Sequence, residues 1–276
     1  MFIMILSDLH THSNNSFDAK NSVDEMCCAA VERGLYAIAV TDHCEAPFIK
    51  YGKDGEYGSF DERIPKSIKE TLAAKSKYAD KLKVLCGIEL GEPMHDSDGT
   101  KRALSYGEYD FILASVHNLR DMEDFYYLDY SAINLSLLLN NYFDEIAETA
   151  DFDNYDSLAH LTYPLRYILA KTGSIPDMSE FKTQIDKIFK ILIKKNKSLE
   201  INVSGLFKEL KTTLPDYDLI QRYYELGGRL ITVGTDSHST EYVGKGIETG
   251  LNIAKKAGFK QYAIYEKHNP VFIDIP

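Results

Sequence analysis

The chain has 276 residues, 44% hydrophobic and 26% charged, a balance that excludes disordered and fibrous classes. Its formal net charge of −11 disfavours broad electrostatic binding to a nucleic-acid backbone, which needs clustered Lys and Arg, so no nucleic-acid partner is expected. The opening MFIMIL lacks a basic n-region and is too short for a signal peptide or a membrane span, and no other long apolar run follows; a cytoplasmic protein with no membrane partner is the expectation.

Seven apolar, β-rich runs follow one another along the chain: FIMIL at 2–6, YAIAV at 36–40, KVLCGI at 83–88, FILASV at 111–116, DSLAHL at 156–161, SLEINV at 198–203 and RLITVG at 229–234. Their continuous apolar character suits parallel strands covered by helices, as in a β/α barrel or an open α/β sheet. Between them, Ser22 and Glu25 form a capping box that opens a helix over 23–33, which Gly34 closes. Further helices are predicted over 61–80, 131–149, 178–195, 216–226 and 240–257. No repeat, low-complexity tract or linker interrupts the chain, so one domain over 1–276 is expected. The polar segments 44–60, 91–108 and 118–130 each follow a predicted strand, the side on which a barrel builds its active site.

The cysteines, Cys27, Cys28, Cys44 and Cys86, form no C-x-x-C pair and read as reduced thiols, with Cys44 placed beside His43. Chemistry gathers instead at the ends of the apolar runs. The first is followed by Asp8, His10, His12 and Asp18, the second by Asp42 and His43, the third by Glu89 and the fourth by His117. The fifth carries His160, the sixth Glu200 and Asn202, and the seventh Asp236 and His238. In a barrel these ends share one mouth, and side chains two apart on a strand, as in H-x-H, point the same way.

Imidazoles and carboxylates gathered there are the donors that Zn, Fe or Mn takes. Six histidines with Asp18, Glu89 and Asp236 exceed the four ligands of one zinc, so two or three divalent ions are expected, with Glu89 bridging. Such ions polarise a phosphoryl oxygen and lower the pKa of bound water to about 7, which points to hydrolysis without a protein nucleophile. His95 and His268 lie off the pattern and read as loop and surface residues.

The ordered set HTH, TDH, GIE, SVH, AHL and TDSH resembles the PHP family, named for its occurrence in DNA polymerases and histidinol phosphatases. The resemblance implies an α/β fold of distorted (β/α)7 TIM-like barrel type and a trinuclear metal site. Its ligand positions fall on His10, His12, Asp18, His43, Glu89, His117, His160, Asp236 and His238. Asp18 departs from members with histidine there, and an oxygen ligand favours a different metal.

Within the family, the stretches SFD, LEINVSGL, AGF and HNPVF make the chain most similar to the histidinol-phosphate phosphatases of histidine biosynthesis. The resemblance implies hydrolysis of L-histidinol phosphate, a small phosphorylated metabolite, with Arg166 binding the phosphate. Where a second basic residue is expected stands Phe207, with Lys208 next to it as a point charge. Arg120 is a further expected phosphate contact, and protons are expected to move through Asp236 or a nearby histidine, His43 or His238.

The aromatic and acidic segment NLRDMEDFYYLDY reads either as a lid whose Asp121, Glu123, Asp124 and Asp129 meet a substrate amine or imidazole, or as a surface loop. The alternative functions are a phosphoesterase acting on another small phosphate ester or a nucleotide, and last a non-catalytic metal-binding module. Oligomeric state is left open by the sequence.

Overall fold

The computed structural model describes residues 4–49 and 60–276; the first residues of the predicted strand 2–6 and most of the polar segment 44–60 lie outside them. Eight strands are joined in one parallel sheet: β1 (Ser7–Thr11), β2 (Ala37–Val40), β3 (His43–Glu45), β4 (Lys83–Gly91), β5 (Phe111–Ser115), β6 (Ser157–Leu158), β7 (Ser198–Asn202) and β8 (Ile231–Gly234). Seven of them run in the order β1-β2-β4-β5-β6-β7-β8, and β3 pairs with the far half of β4. A parallel bridge from Thr11 to Ser237 brings the two outer strands together, with the His12 N–H donating to the Ser237 carbonyl at 2.9 Å and the Asp236 N–H to the His10 carbonyl at 2.8 Å. The result is a nearly closed seven-stranded α/β barrel, in agreement with the expected fold class.

Helices α1 (Val23–Glu32), α2 (Ala46–Ile49), α3 (Phe60–Lys77), α4 (Ser97–Leu104), α5 (Leu135–Asp151), α6 (Pro164–Thr172), α7 (Lys182–Lys195), α8 (Tyr217–Glu225) and α9 (Ile247–Ala257) complete the fold. Among the described residues none is long and apolar enough to cross a membrane. Their apolar faces and the strands share a core that includes Phe111, Leu139, Phe143, Ile146, Ile188 and Phe189. The Ser22–Glu25 capping box of α1 is formed on both sides, and Gly34 follows the helix at φ +68°.

Several boundaries move for physical reasons. The first strand is SDLHT, five residues later than the apolar run at 2–6, because its register pairs Ser7 with Ala37 and Asp8 with Ile38. It buries polar side chains that have partners inside the barrel. β6 shrinks to two residues before the chain turns at His160, whose φ is +20°. The helix expected at 240–257 starts only at Ile247, since Gly244 and Gly246 take φ of +70° and +89°, outside helical space. α5 and α7 are each preceded by a separate 3₁₀ turn, Tyr130–Ala132 and Met178–Phe181.

Within the loops, β3 and α2 were not anticipated, nor were α4, capped by Asp96, and α6, which opens on Pro164 and ends before Gly173 at φ +79°. A further unanticipated element is an antiparallel hairpin of β9 (Gln261–Glu266) and β10 (Asn269–Asp274). It lies across the N-terminal end of the barrel. Tyr262 donates to the Ile5 carbonyl at 2.9 Å, Tyr265 meets the Ser198 hydroxyl at 2.7 Å, and His268 Nδ1 lies 2.9 Å from Asp156.

Candidate metal centre

The C-terminal ends of the strands carry the chemistry. Alternation along β1 directs Asp8, His10 and His12 to one side, into the barrel. Asp8 is consumed there: its carboxylate accepts from the Thr235 N–H and hydroxyl and from the Gly244 N–H, and burial outweighs these bonds to push it up to about 6. His10 Nδ1 lies 2.7 Å from Glu200 Oε1, which leaves Nε2 facing the mouth. Glu200 also accepts the His160 N–H at 2.7 Å, so one carboxylate orients two imidazole-bearing residues.

Glu89, on β4, is the hub. One oxygen lies 2.9 Å from His160 Nε2 and 3.1 Å from His117 Nε2; the other lies 2.8 Å from His43 Nδ1, 3.4 Å from His10 Nε2 and 3.6 Å from His12 Nε2. Asp236 Oδ1 closes the opposite side, 3.4 Å from His12 Nε2 and 3.7 Å from His10 Nε2. His238 and His43 face each other through their Nε2 atoms at 3.4 Å, as do His117 and His160. Asp18 sits at the rim, 3.1 Å from His238 Nε2 and 3.8 Å from His43 Nε2. All nine sequence-derived ligand positions therefore meet in one volume.

Three-residue sets within it bring donor atoms within 4.8 Å of one another: His10, His12 and Glu89; Glu89, His117 and His160; His12, His43 and His238; His10, His160 and Asp236. A fifth set joins His43 and His117 to Glu45, a residue the sequence reading did not single out. Glu45 stands two residues after His43 on β3, the spacing that makes H-x-H a clamp, and that was the available signal. Its Oε1 lies 3.4 Å from Nδ1 of both histidines. A Cβ at Gly91 would stand 1.5 Å from Glu45 Oε2, so only glycine leaves this carboxylate its place.

Electrostatics show what the cluster lacks. Burial alone would neutralise Glu89 and Asp236, yet the surrounding imidazoles hold both carboxyls well below their usual range. Burial also opposes charge on His10, His43 and His117, but the same carboxylates push all three well up, while burial and like neighbours push His12 and His160 down. Glu92, two residues beyond β4's Leu90, is buried, and that burial and the nearby Glu45 carboxylate push it up. Buried Nε2 of His10 and His12, Nδ1 of His160, and Oε2 of Glu45 and Glu89 have no hydrogen-bond partner. Paired imidazole nitrogens 3.4 Å apart, orphaned buried donor atoms and central carboxylates are together satisfied by bound cations, so the residues fit divalent metals.

Asp42 does not join them. Its carboxylate turns away and is filled by the Ser13 N–H and the Ser13 and Ser16 hydroxyls at 2.6 to 2.7 Å, which shapes the loop after His12. Cys44 is buried on the outer side of β3 and burial raises its thiol well above the usual range. The four cysteines are unpaired.

A pocket of about 550 Å³ opens over the cluster. Arg166, on α6, lies in its wall, 4.2 Å over the Tyr163 ring, with Nη1 3.4 Å from Asp236 Oδ2 and 3.4 Å from Ser204 Oγ. Lys208 and Phe207 also line the pocket, with Lys245, whose Nζ lies 4.9 Å above the Phe207 ring. Arg120 does not reach it: its guanidinium is held outside by Glu148 at 2.7 Å, Glu145 at 3.5 Å and the Met94 carbonyl at 3.1 Å, which corrects its reading as a phosphate contact. His95 pairs with Glu145 at 2.6 Å and His268 with Asp156, both away from the mouth.

Comparison with known proteins agrees with this geometry. Residues 8–204 match the PHP domain family. A probable histidinol-phosphatase of Thermotoga maritima is 30% identical over 259 residues, 93% of this chain and 94% of that protein. The histidinol-phosphatase of Lactococcus lactis is 29% identical over 271 residues, 94% of this chain and 93% of that protein. Among solved structures, the histidinol phosphate phosphatase of Lactococcus lactis, complexed with zinc, L-histidinol and phosphate, superposes with a TM-score of 0.81 at 26% identity, covering 98% of this chain and 100% of that one.

Proposed function

Because the chain belongs to the PHP domain family, we propose that it is a metal-dependent phosphoric monoester hydrolase that cleaves L-histidinol phosphate to L-histidinol and phosphate. The observation that carries this reading is the buried Glu89 hub, ringed by imidazoles from β1, β3 and the ends of β5 and β6, with a buried arginine beside it.

Two or three divalent ions, zinc foremost and iron or manganese as alternatives, would be held by His10, His12, Asp18, His43, Glu89, His117, His160, Asp236 and His238, with Glu45 added. When bound, they supply charge neutralisation at the phosphoryl oxygens and make a water acidic enough to attack near neutral pH. Arg166 presents its guanidinium fork to the phosphate dianion and, stacked on Tyr163, keeps one orientation while doing so. Its Nη1 lies 3.4 Å from Asp236 Oδ2, so a phosphate held by the guanidinium would lie near that carboxylate. Asp236, held as a carboxylate, accepts the proton of the attacking water at Oδ. That proton would pass to the departing alkoxide from Asp236 itself or through a neighbouring imidazole, His238 or His43. Lys208 adds a point charge at the lip.

The test is a phosphatase panel with metal-loaded protein. Turnover of L-histidinol phosphate well above that of generic phosphomonoesters and phosphodiesters is expected; turnover of phosphodiesters without histidinol phosphate would overturn the substrate.

A further inference from the structure

The acidic segment after β5 places only one of its four carboxylates in the pocket. Asp121, Glu123 and Asp129 are exposed, and Asp129 is spent on the Ser131 N–H. Asp124 lines the pocket and is partly buried. Its hydrogen-bond partners are neutral: the Tyr126 N–H donates to Oδ1 at 2.7 Å, and the Tyr163 hydroxyl stands 3.4 Å from each oxygen, while His117 and Arg166 act on it from beyond contact distance. No Lys, Arg or His forms an ion pair with it among the described residues; Arg166 stacks on the same Tyr163 ring, 4.2 Å from its centre, without reaching the carboxylate at ion-pair distance. A half-buried carboxylate facing a ligand cavity without a cation of its own is costly unless the ligand brings one.

Around Asp124 the wall is aromatic. Tyr126 packs edge-on against Tyr127 at 4.9 Å and against Tyr167 at 5.6 Å, and Tyr167 against Tyr163 at 5.2 Å. The segment is pinned from behind by Lys171, which donates to the carbonyls of Tyr126 and Leu128. The pocket's lysines, Lys20, Lys208 and Lys245, come from the loops after β1, β7 and β8, across the barrel from the loop after β5. The lysines thus stand on one wall and a carboxylate among flat rings on the other, with Arg166 at their junction, over the Tyr163 and Tyr167 rings and 3.4 Å from Ser204 Oγ.

We propose that Asp124 is the specificity residue for the leaving group, pairing with an ammonium on the alcohol portion of the substrate while Tyr126 and Tyr127 flank its ring. This rests on the phosphatase reading above and names the part of the substrate that wall takes. It also explains why a lone acid is tolerated there: the charge is balanced each time an amine-bearing phosphate ester enters.

The experiment compares wild type with Asp124→Asn on two esters, L-histidinol phosphate and 3-(imidazol-4-yl)propyl phosphate, which lacks the amine. Wild type should favour the amine-bearing ester, and Asp124→Asn should lower kcat/KM for it by about 10- to 100-fold while changing the amine-free ester by less than about twofold. Equal losses on both esters, or no loss on either, would overturn the assignment. Asp124→Glu, which keeps the charge, should recover part of the preference, and thermal melting of each variant separates a folding defect from a binding one. A wild type that ignores histidinol phosphate but favours other aminoalkyl phosphates over their amine-free counterparts, with that preference lost in Asp124→Asn, would remove the substrate reading and leave this one standing.

Discussion

Nδ1 of His10 lies 2.7 Å from Oε1 of Glu200 across the inside of the barrel, although 190 residues separate the two in the chain. The contact fixes which nitrogen of His10 is turned to the mouth, and the other oxygen of Glu200 holds the backbone of His160. In Glu200→Gln one amide end must face a donor, so one of these two supports is lost. Metal affinity should fall about 10- to 100-fold, read by competition with a chromophoric chelator, while far-UV circular dichroism stays that of wild type. Unchanged affinity would show that His10 is oriented by other means.

Arg166→Lys should raise KM for the phosphate ester by about tenfold or more and change kcat less, because a lysine offers a point charge without the bidentate fork and cannot stack on Tyr163 in the same way. Steady-state kinetics at saturating metal decide it. A fall in kcat at constant KM would instead place Arg166 in the proton-transfer machinery through its contact with Asp236.

Chelation should lower the melting temperature by about 5 °C or more, since carboxylates and imidazoles now buried together lose the cations that satisfy them. Zinc should restore it in wild type and much less in His12→Ala, whose ring belongs to two of the donor sets. Differential scanning calorimetry with and without metal is the measurement.

Glu145 ties α5 to the loop before α4, with His95 at 2.6 Å and the Arg120 N–H at 3.2 Å. Burial pushes its carboxyl up, but these donors outweigh burial and hold it below the ordinary 4.5. The folded state therefore binds this proton less readily than the unfolded one. The stabilisation is present above about pH 4.5 and is lost as pH falls through the lowered value. Glu145→Gln should cost about 1 kcal/mol at neutral pH, and the difference from wild type should shrink in melts below pH 4.

The sequence was most informative where apolar runs and barrel interior coincide: β2, β4, β5, β7 and β8 begin within two residues of their predicted starts. β1 was displaced because Ser7, Asp8 and His10 are buried polar residues whose partners, Tyr262 for Ser7, Thr235 and Gly244 for Asp8, and Glu200 for His10, lie far along the chain. The β9–β10 hairpin escaped notice for a related reason. Its turn residues, Lys267 and His268, take φ of +50° and +64° without glycine, held by Asp110 and Asp156 from the barrel. Six histidines were legible because each stands at or just past a strand end. Glu45 was not, since its place depends on β3 pairing with β4, and Arg120 misled because the carboxylates that claim it come from α5.

Among the described residues the hairpin covers the strand starts, at the end of the barrel opposite the pocket. Whatever binds deepest must depart last. On the proposed reading, with the phosphate against Arg166 and the metal ligands and the alcohol nearer the aromatic segment, the alcohol would leave first and inorganic phosphate would follow, so accumulated phosphate would compete with fresh substrate for the same form of the enzyme.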